Sequence, residues 1–200
     1  MSRSTEQGVA LVLVLMTMTL LAALVGSLTL AAITDTTVAA NYRDAADARY
    51  AAEAAVEYVL QELAAVDDWS DLLAGGQSAF VDGPPAGIRQ VGAERIDLDQ
   101  AAADVTGAAI PPPGAVHPPS VLHAFGWFRD MVPVASDSGT YVAVWLADRS
   151  PAPKDDGAPP ATLSVVGTAF GGRGARRAVE AIVERADTSA VRLLAWRELP

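Results

Sequence analysis

The sequence lacks cysteine altogether, which excludes a disulfide framework, a cysteine-based zinc site and a thiol nucleophile. Histidine is nearly absent, with two residues in 200, and aromatic residues make up 6% of the chain. Basic side chains are scarce as well, since 14 Lys and Arg stand against 24 Asp and Glu, for a net charge of −10 at pH 7. Such an acidic chain disfavours general binding to nucleic acid, and we expect no specific nucleic-acid partner.

Apolar residues, by contrast, make up 51% of the chain, and they are concentrated near its N-terminus. Residues 9–34 form a run of 26 residues without a charged side chain or a proline. A helix of that length rises about 39 Å, which is enough to cross a hydrocarbon core of about 30 Å. The run exceeds the apolar core of a secretory signal, which has about 7–15 residues. The sequence therefore predicts the transmembrane half of a helix at 9–34. We place the N-terminus in the cytoplasm, because the large remainder of the chain is acidic and rich in proline and glycine.

The pattern changes after Thr34 without a helix-breaking residue. Small apolar residues, mostly alanine, recur every three or four positions from Ala45 to Val66, and acidic side chains lie mainly off this stripe. This spacing is typical of an amphipathic helix. We therefore predict a single helix from about Val9 to about Val66, in which residues 35–68 extend the membrane-spanning part. Its second half needs a globular partner on one side only.

Residues 69–200 are predicted to form a periplasmic globular head with Pro/Gly-rich loops. Segments 141–146 and 162–170 are rich in β-branched and aromatic residues, which favours strands. Segment 176–185 fits both a helical stripe and strand alternation, and we predict a strand because it follows the glycine-rich turn 171–174. Together they predict a β-meander over 141–185. Residues 71–135 are predicted to be irregular, apart from short strands at 87–91 and 94–98 and a strand or packed loop at 122–134. The whole predicts an α+β fold with a long N-terminal helix packed on a C-terminal antiparallel β-sheet.

Residues that carry catalytic or metal-binding chemistry show no recognised spacing. The two histidines lie six residues apart in a proline-rich stretch, and the acidic groups lack the pattern of an EF-hand loop. The glycine-rich segment 167–174 lacks the Gly-Lys-Ser/Thr ending of a phosphate-binding loop. We therefore expect no enzyme, no bound metal and no cofactor. The residues weighed were His117, His123, Asp97, Asp99, Asp104, Asp155 and Asp156.

Three features of the N-terminal region occur in combination. Gly8 directly precedes the uncharged run, Ala39–Asp44 reads AANYRD, and Tyr50–Glu57 reads YAAEAAVE. Over roughly residues 3–66 the combination resembles the N-terminal region of PilX-type minor pilins of type IV pili. The resemblance implies a pilin-like fold and a role in assembling, priming or capping the pilus. Gly8 taken alone also fits a simple helix boundary.

The resemblance also implies processing and a location. Residues 1–8 would be a leader peptide that prepilin peptidase removes after Gly8 on the cytoplasmic side, and the same enzyme would then methylate the amine of Val9. Glycine suits a position where a protease must approach the backbone closely. The chain would be a single-pass protein of the bacterial inner membrane before it enters the pilus fibre or its tip. The implied partners are prepilin peptidase, other major and minor pilins, the inner-membrane assembly machinery and, before assembly, the lipid bilayer.

One residue departs from the family pattern. Most major pilins resemble one another in having glutamate at the fifth mature position, where this sequence has Leu13. In the family that glutamate is thought to neutralise an N-terminal amine in the growing fibre. Its absence favours a minor or tip-proximal subunit and leaves open a pseudopilin of a type II secretion system. A signal-anchored periplasmic binding domain that does not polymerise is the alternative from another class, and an anchored hydrolase is disfavoured by the missing catalytic spacing.

Overall fold

A computed structural model describes residues 3–91, 94–108, 122–129, 139–149, 162–187 and 190–200. The chain divides into two compact units, Met1–Tyr42 and Arg43–Pro200. Helix α1 spans Arg3–Ala64 as one element and contributes to both units. The first unit consists of the apolar part of this helix. The second unit contains the remainder of α1 and every other described element.

The second unit combines two further helices with two antiparallel sheets. The smaller sheet pairs β1 with β2, and the larger sheet has the strand order β3-β4-β5-β6-β7. Every neighbouring pair in the larger sheet is antiparallel and consecutive in sequence. The helices are α2 (Ser70–Leu73) and α3 (Leu98–Ala108), and the strands are β1 (Ile88–Val91), β2 (Glu94–Asp97), β3 (His123–Arg129), β4 (Tyr141–Asp148), β5 (Thr162–Phe170), β6 (Arg176–Asp187) and β7 (Ala190–Leu199).

One face of the larger sheet is covered by the second part of α1. The α1 residues in this contact are small or β-branched with one leucine, and all are completely buried, which confirms the predicted stripe. They pack against alternate residues of β4, β5 and β6, such as Val144, Val165 and Ala181. Because alternate residues of a strand point to the same face, these three belong to one side of the sheet. The buried α1 residues are Ala48, Ala51, Ala52, Ala55, Val56, Val59 and Leu63.

The opposite face of the sheet is partly covered by α3 and the small β1–β2 sheet. Leu98, Ala101 and Val105 of α3 are buried together with Trp127 and Trp145 of the larger sheet. Asp97 is the N-terminal cap of this helix. Its carboxylate accepts hydrogen bonds from two backbone N–H groups in the first turn of α3. The larger sheet therefore has an apolar layer on each side, which explains the nearly continuous burial of β4 and β5.

Two side chains bind backbone carbonyls at the C-terminal end of α1. The indole Nε1 of Trp69 donates to the carbonyl oxygen of Leu63 at 3.0 Å. Nη2 of Arg185 donates to the carbonyl oxygen of Val66 at 2.9 Å, and its guanidinium lies 4.3 Å from the centre of the Trp69 ring. These contacts bind one carbonyl in the last turn of α1 and one just after it, where few backbone donors remain, and a positive charge there is favourable.

The predicted α+β class, with a long helix packed on an antiparallel sheet, is confirmed. The strands predicted between residues 141 and 185 are present as β4, β5 and β6. The prediction of irregular structure over 71–135 is wrong at Leu98–Ala108, which forms α3 because Asp97 caps a segment of good helix formers. The segment predicted as a strand or packed loop at 122–134 forms β3 beside β4, and sequence reasoning missed β7, so the sheet has five strands rather than three. Residues 151–157, one of the predicted Pro/Gly-rich loops, lie outside the described residues.

Helix α1 and the sheet approach each other closely at Gly167, and this contact generates a stability prediction. A Cβ atom there would lie 2.6 Å from Cγ2 of Val56 and 3.0 Å from the carbonyl oxygen of Ala52. We expect Gly167→Ala to lower the free energy of unfolding by about 1–3 kcal/mol, because added atoms in a packed core force the helix away from the sheet. Denaturant unfolding of the detergent-solubilised chain, followed by tryptophan fluorescence, measures the change.

Two variants control this experiment. Gly26→Ala has nothing within 4 Å of the added carbon and lies in the first unit, which has no tryptophan, so its fluorescence-detected unfolding curve should overlay that of the wild type. Adding Val56→Ala to Gly167→Ala should make the pair less destabilising than the sum of the single changes, because the side chain in closest contact is shortened. Full additivity of the two changes would contradict the contact.

Candidate processing and assembly site

The predicted processing residues lie inside α1. Gly8 and Val9 follow Arg3, the first residue of the helix, by five and six positions, so Gly8 does not mark a helix boundary. Val9 is 61% exposed and Leu13 is 59% exposed. The structure thus presents Val9 and Leu13 on the surface of the N-terminal unit, four residues and one helical turn apart.

The surface around these residues is apolar over many turns. Every side chain from residue 9 to residue 39 is exposed, and the large apolar ones between Val9 and Ile33 are 52–67% exposed. Among the described residues, α1 from Val9 onward is the one helix long and apolar enough to span a membrane. A soluble protein rarely leaves so extended an apolar surface uncovered. This part of α1 therefore requires lipid or neighbouring helices around it.

The hydroxyl groups of this segment are satisfied within the helix. Thr17 donates to the carbonyl oxygen of Leu13 at 2.8 Å, and the other donors each bind a carbonyl three or four residues earlier. A polar group inserted into hydrocarbon without a partner is costly, and this internal bonding removes most of that cost. The segment is therefore compatible with a bilayer despite its threonines. The remaining donors are Thr19, Ser27, Thr29, Thr34, Thr36 and Thr37.

In the second unit, an ion pair joins α1 to the turn between β5 and β6. Asp44 is 4% exposed, and Nη1 of Arg173 donates to its carboxylate at 2.6 Å. Arg173 has φ +53°, a left-handed conformation that side chains other than glycine rarely adopt. The carboxylate thus holds the turn at a fixed place on α1. Sequence reasoning missed this pair, although Asp44 belongs to the AANYRD segment that carries the family resemblance.

A buried carboxylate lies on the sheet face opposite α1. Glu180 on β6 has no exposed surface and accepts hydrogen bonds from Ser164 at 2.6 Å and from Arg149 at 2.9 Å, with Arg197 as a third partner. Burial acts to raise the pKa of Glu180, but the hydrogen bonds from Ser164 and Arg197 and the two arginine charges outweigh it and hold the pKa below its ordinary value. An ionised, fully bonded carboxylate of this kind supports structure rather than proton transfer.

A second polar network fixes the segment before β1. The Tyr141 hydroxyl donates to the Asp82 carboxylate at 2.6 Å and accepts from Nε of Arg89 at 3.1 Å. Burial and the hydrogen bond to Asp82 raise the pKa of Tyr141, so its hydroxyl stays protonated. Arg89 also donates to the carbonyl oxygens of Asp82 and Pro84, which gathers residues 82–89 around one guanidinium.

Three of the acidic residues considered as calcium ligands form hydrogen bonds with other groups of the protein. Asp97 caps α3, Asp99 accepts from the backbone N–H of Gly87 at 3.1 Å, and Asp104 binds Gln100 and Arg176. In the part of the chain that the structure describes, no three acidic or histidine side chains gather as a metal site. His123 lies on β3 opposite Leu146. His117, Asp155 and Asp156 lie outside the described residues.

The comparisons with known proteins concern the first helix. The family model described as PilX N-terminal matches residues 7–57. No curated protein and no solved structure gives a significant match. Residues 7–57 are thus similar to the N-terminal region of PilX-type pilins, which confirms the predicted resemblance over most of residues 3–66. The match indicates a pilin related to type IV pili, a membrane-anchoring helix and interaction with other pilins or the pilus machinery.

The Glu180 cluster generates a pH prediction. Because the pKa of Glu180 is lower in the folded than in the unfolded chain, its stabilisation is complete above the ordinary glutamate pKa of about 4.3 and is lost as pH falls through the lowered value. We expect Glu180→Gln to lower the free energy of unfolding at pH 7 by about 3 kcal/mol, because two arginines lose their buried partner. The loss of stability on acidification should then be smaller than in the wild type.

Denaturant unfolding of the full chain between neutral pH and about pH 3 measures both effects. Glu184→Gln is the matched control, because Glu184 pairs with Arg192 on the same two strands but its side chain is 33% exposed. That change should alter stability by less than about 1 kcal/mol. Parallel pH profiles for Glu180→Gln and the wild type would exclude a stabilising ionised Glu180.

Proposed function

We propose that the chain is a minor pilin that primes or caps a type IV pilus after prepilin peptidase removes residues 1–8 and methylates Val9. The observation that carries the proposal is the coincidence of the PilX N-terminal match with one helix that has two kinds of surface. Its first part is exposed and apolar on all sides, and its second part is packed against a sheet by small residues. A subunit that moves from a bilayer into a helical fibre core needs these two surfaces.

Cleavage after Gly8 would change the charge of the N-terminal segment. The leader contains Arg3 and Glu6, and after its removal the first charged side chain is Asp35. The mature helix would then begin with its amine as the sole charge over 26 residues. Such a segment can leave the bilayer and pack among similar helices without burying an unpaired side-chain charge.

Leu13 supports a place at the tip of the fibre. A subunit with leucine at the fifth mature position offers no carboxylate to a neighbouring amine within the fibre. Repeated through a shaft, this would leave an unpaired charge at every step, whereas a single copy at the tip avoids the repetition. The five-stranded sheet and its loops then supply contacts to other minor pilins. The polar clusters of the second unit serve packing in this proposal, and we expect no catalytic activity.

The first test is the mass of the mature chain. Intact-mass and N-terminal analysis of the chain purified from bacterial membranes should show loss of Met1–Gly8 and one added methyl group on Val9. Gly8→Val should block processing, because a β-branched side chain obstructs the close approach of a protease to the backbone. Gly26→Val, in the same apolar run and with nothing within 4 Å of a Cβ atom, should be processed normally.

Three outcomes would contradict the proposal. Retention of residues 1–8 in the wild type would favour a signal-anchored binding domain. Removal of the whole apolar run would favour a secreted protein. Normal cleavage of Gly8→Val would show that the cut is made elsewhere.

The second test concerns Leu13. We expect Leu13→Glu to spread the subunit from the tip along the pilus, because the new carboxylate can pair with a neighbouring amine as in bulk subunits. Immunogold labelling of sheared pili measures the position. The Val14→Glu change places the carboxylate on a different side of the same helical turn, so the labelled subunit should stay at the tip. Immunogold label on the wild-type subunit along the whole shaft would contradict the tip position. Copurification of the chain only with a secretion complex would favour a pseudopilin.

A further inference from the structure

One edge of the five-stranded sheet is covered by another segment of the chain, and the other edge is not covered by any described strand. Residues 78–82 run along the outer edge of β3, where Ser78 N–H donates to the carbonyl of Phe125 at 2.8 Å and Trp127 N–H donates to the carbonyl of Phe80 at 3.2 Å. At the other edge, no strand within the described ranges pairs with the outer side of β7. An uncovered edge strand presents backbone donors and acceptors that are ready to pair with another chain.

The open strand is also unusually apolar. Leu193, Leu194 and Trp196 of β7 are 50%, 48% and 38% exposed. The register shifts here, since Ile182 pairs with Ala195 while Val183 pairs with Leu193, so Leu194 is the extra residue of a bulge. Natural edge strands are usually protected by charge, proline or a covering segment. β7 has no proline, and its centre is apolar.

Apolar side chains of β7 lie on one face of the sheet, and its arginines lie on the other face. Leu193 and Trp196 stand opposite Val183 and Ala181, which face α1, so they lie on the α1 side of the sheet. Arg192 and Arg197 stand opposite Glu184 and Glu180 on the other side and pair with them, and the arginine side chains stay 65% and 43% exposed. The outer edge thus offers apolar surface on one face and two arginines on the other, in a chain whose net charge is −10.

Symmetry disfavours a second copy of this chain as the occupant. Antiparallel pairing of two β7 strands uses a two-fold axis normal to the sheet, which reverses every element lying flat on it, including the packed part of α1. Two copies anchored in one membrane by the same helix run in the same direction. Parallel pairing about a two-fold axis along the strands would place neighbouring side chains on opposite sides of the sheet, which the pleat does not allow.

We propose that the outer edge of β7 binds an extended segment of a different pilin-like subunit, adding a sixth strand to the sheet. The segment has apolar side chains on the α1 side, against Leu193 and Trp196, and carboxylates on the other side, near Arg192 and Arg197. Backbone hydrogen bonds supply affinity, and the alternating side chains supply specificity. This inference rests on the proposed pilin function and names the surface through which the subunit meets its neighbour.

Site-specific photocrosslinking in bacterial cells that produce the full-length chain with its companion pilin-like chains tests the proposal. The photoreactive residue p-benzoylphenylalanine replaces Leu194, and adducts are mapped by peptide mass spectrometry. We expect an adduct with one short segment of another pilin-like chain that alternates apolar and acidic residues. Arg192→Glu should lower the adduct yield about tenfold, because it sets like charges side by side, whereas Arg192→Lys should retain most of it.

Matched controls use the covered edge of the same sheet. The same photoreactive residue in place of Phe128, a 39% exposed side chain on β3, should give no adduct with that segment. Arg129→Glu, also on β3, should leave the adduct at Leu194 unchanged. No adduct at Leu194, an adduct only with a second copy of this chain, or a yield insensitive to Arg192→Glu would overturn the proposal.

The N-terminus of the same sample separates the two proposals. If residues 1–8 are removed and Val9 is methylated but no adduct forms, the edge-strand inference fails and the pilin function stands. If the leader is retained while the mapped adduct forms, the pilin function fails and β7 remains a binding edge for the crosslinked chain.

Discussion

The fold depends on the close approach of a small-residue helix face to a β-sheet. Alanines and valines along the second part of α1 let its backbone come so near to β5 that only glycine fits at position 167. Each contact is small, but the buried stripe runs over four turns of helix without a gap. This packing fixes the second part of α1 on the sheet.

Polar groups complete this arrangement at both ends of the packed segment. Asp44 holds the β5–β6 turn near its start, and Arg185 and Trp69 bind the last carbonyls near its end. These partners are far apart in sequence, and Asp44 and Arg173 are separated by 129 positions. These polar contacts fix the position of α1 along the sheet, because hydrogen bonds to charged groups require defined geometry. Apolar burial alone does not fix that position.

Some features could be read from local sequence, and others could not. The alanine spacing after Thr34 predicted the buried face of α1, and the β-branched runs predicted β4 and β5, because those patterns act within a few residues. Helix α3 was missed because its main signal is a single capping residue, Asp97. Strand β7 was missed because its burial is slight and its pairing depends on β6, and no periodic apolar pattern marks an edge strand.

The amino-acid sequence alone determined the apolar run, the small-residue stripe and the order of polar and apolar segments. These features also carry the likeness to PilX-type pilins, because they reflect the solvent that each stretch of helix must meet. The tertiary structure decided which carboxylates pair, which glycine sits against the helix and which edge of the sheet has no partner among the described strands. Those properties depend on contacts between residues distant in the chain, and such contacts exist only once the sheet and α1 have packed together.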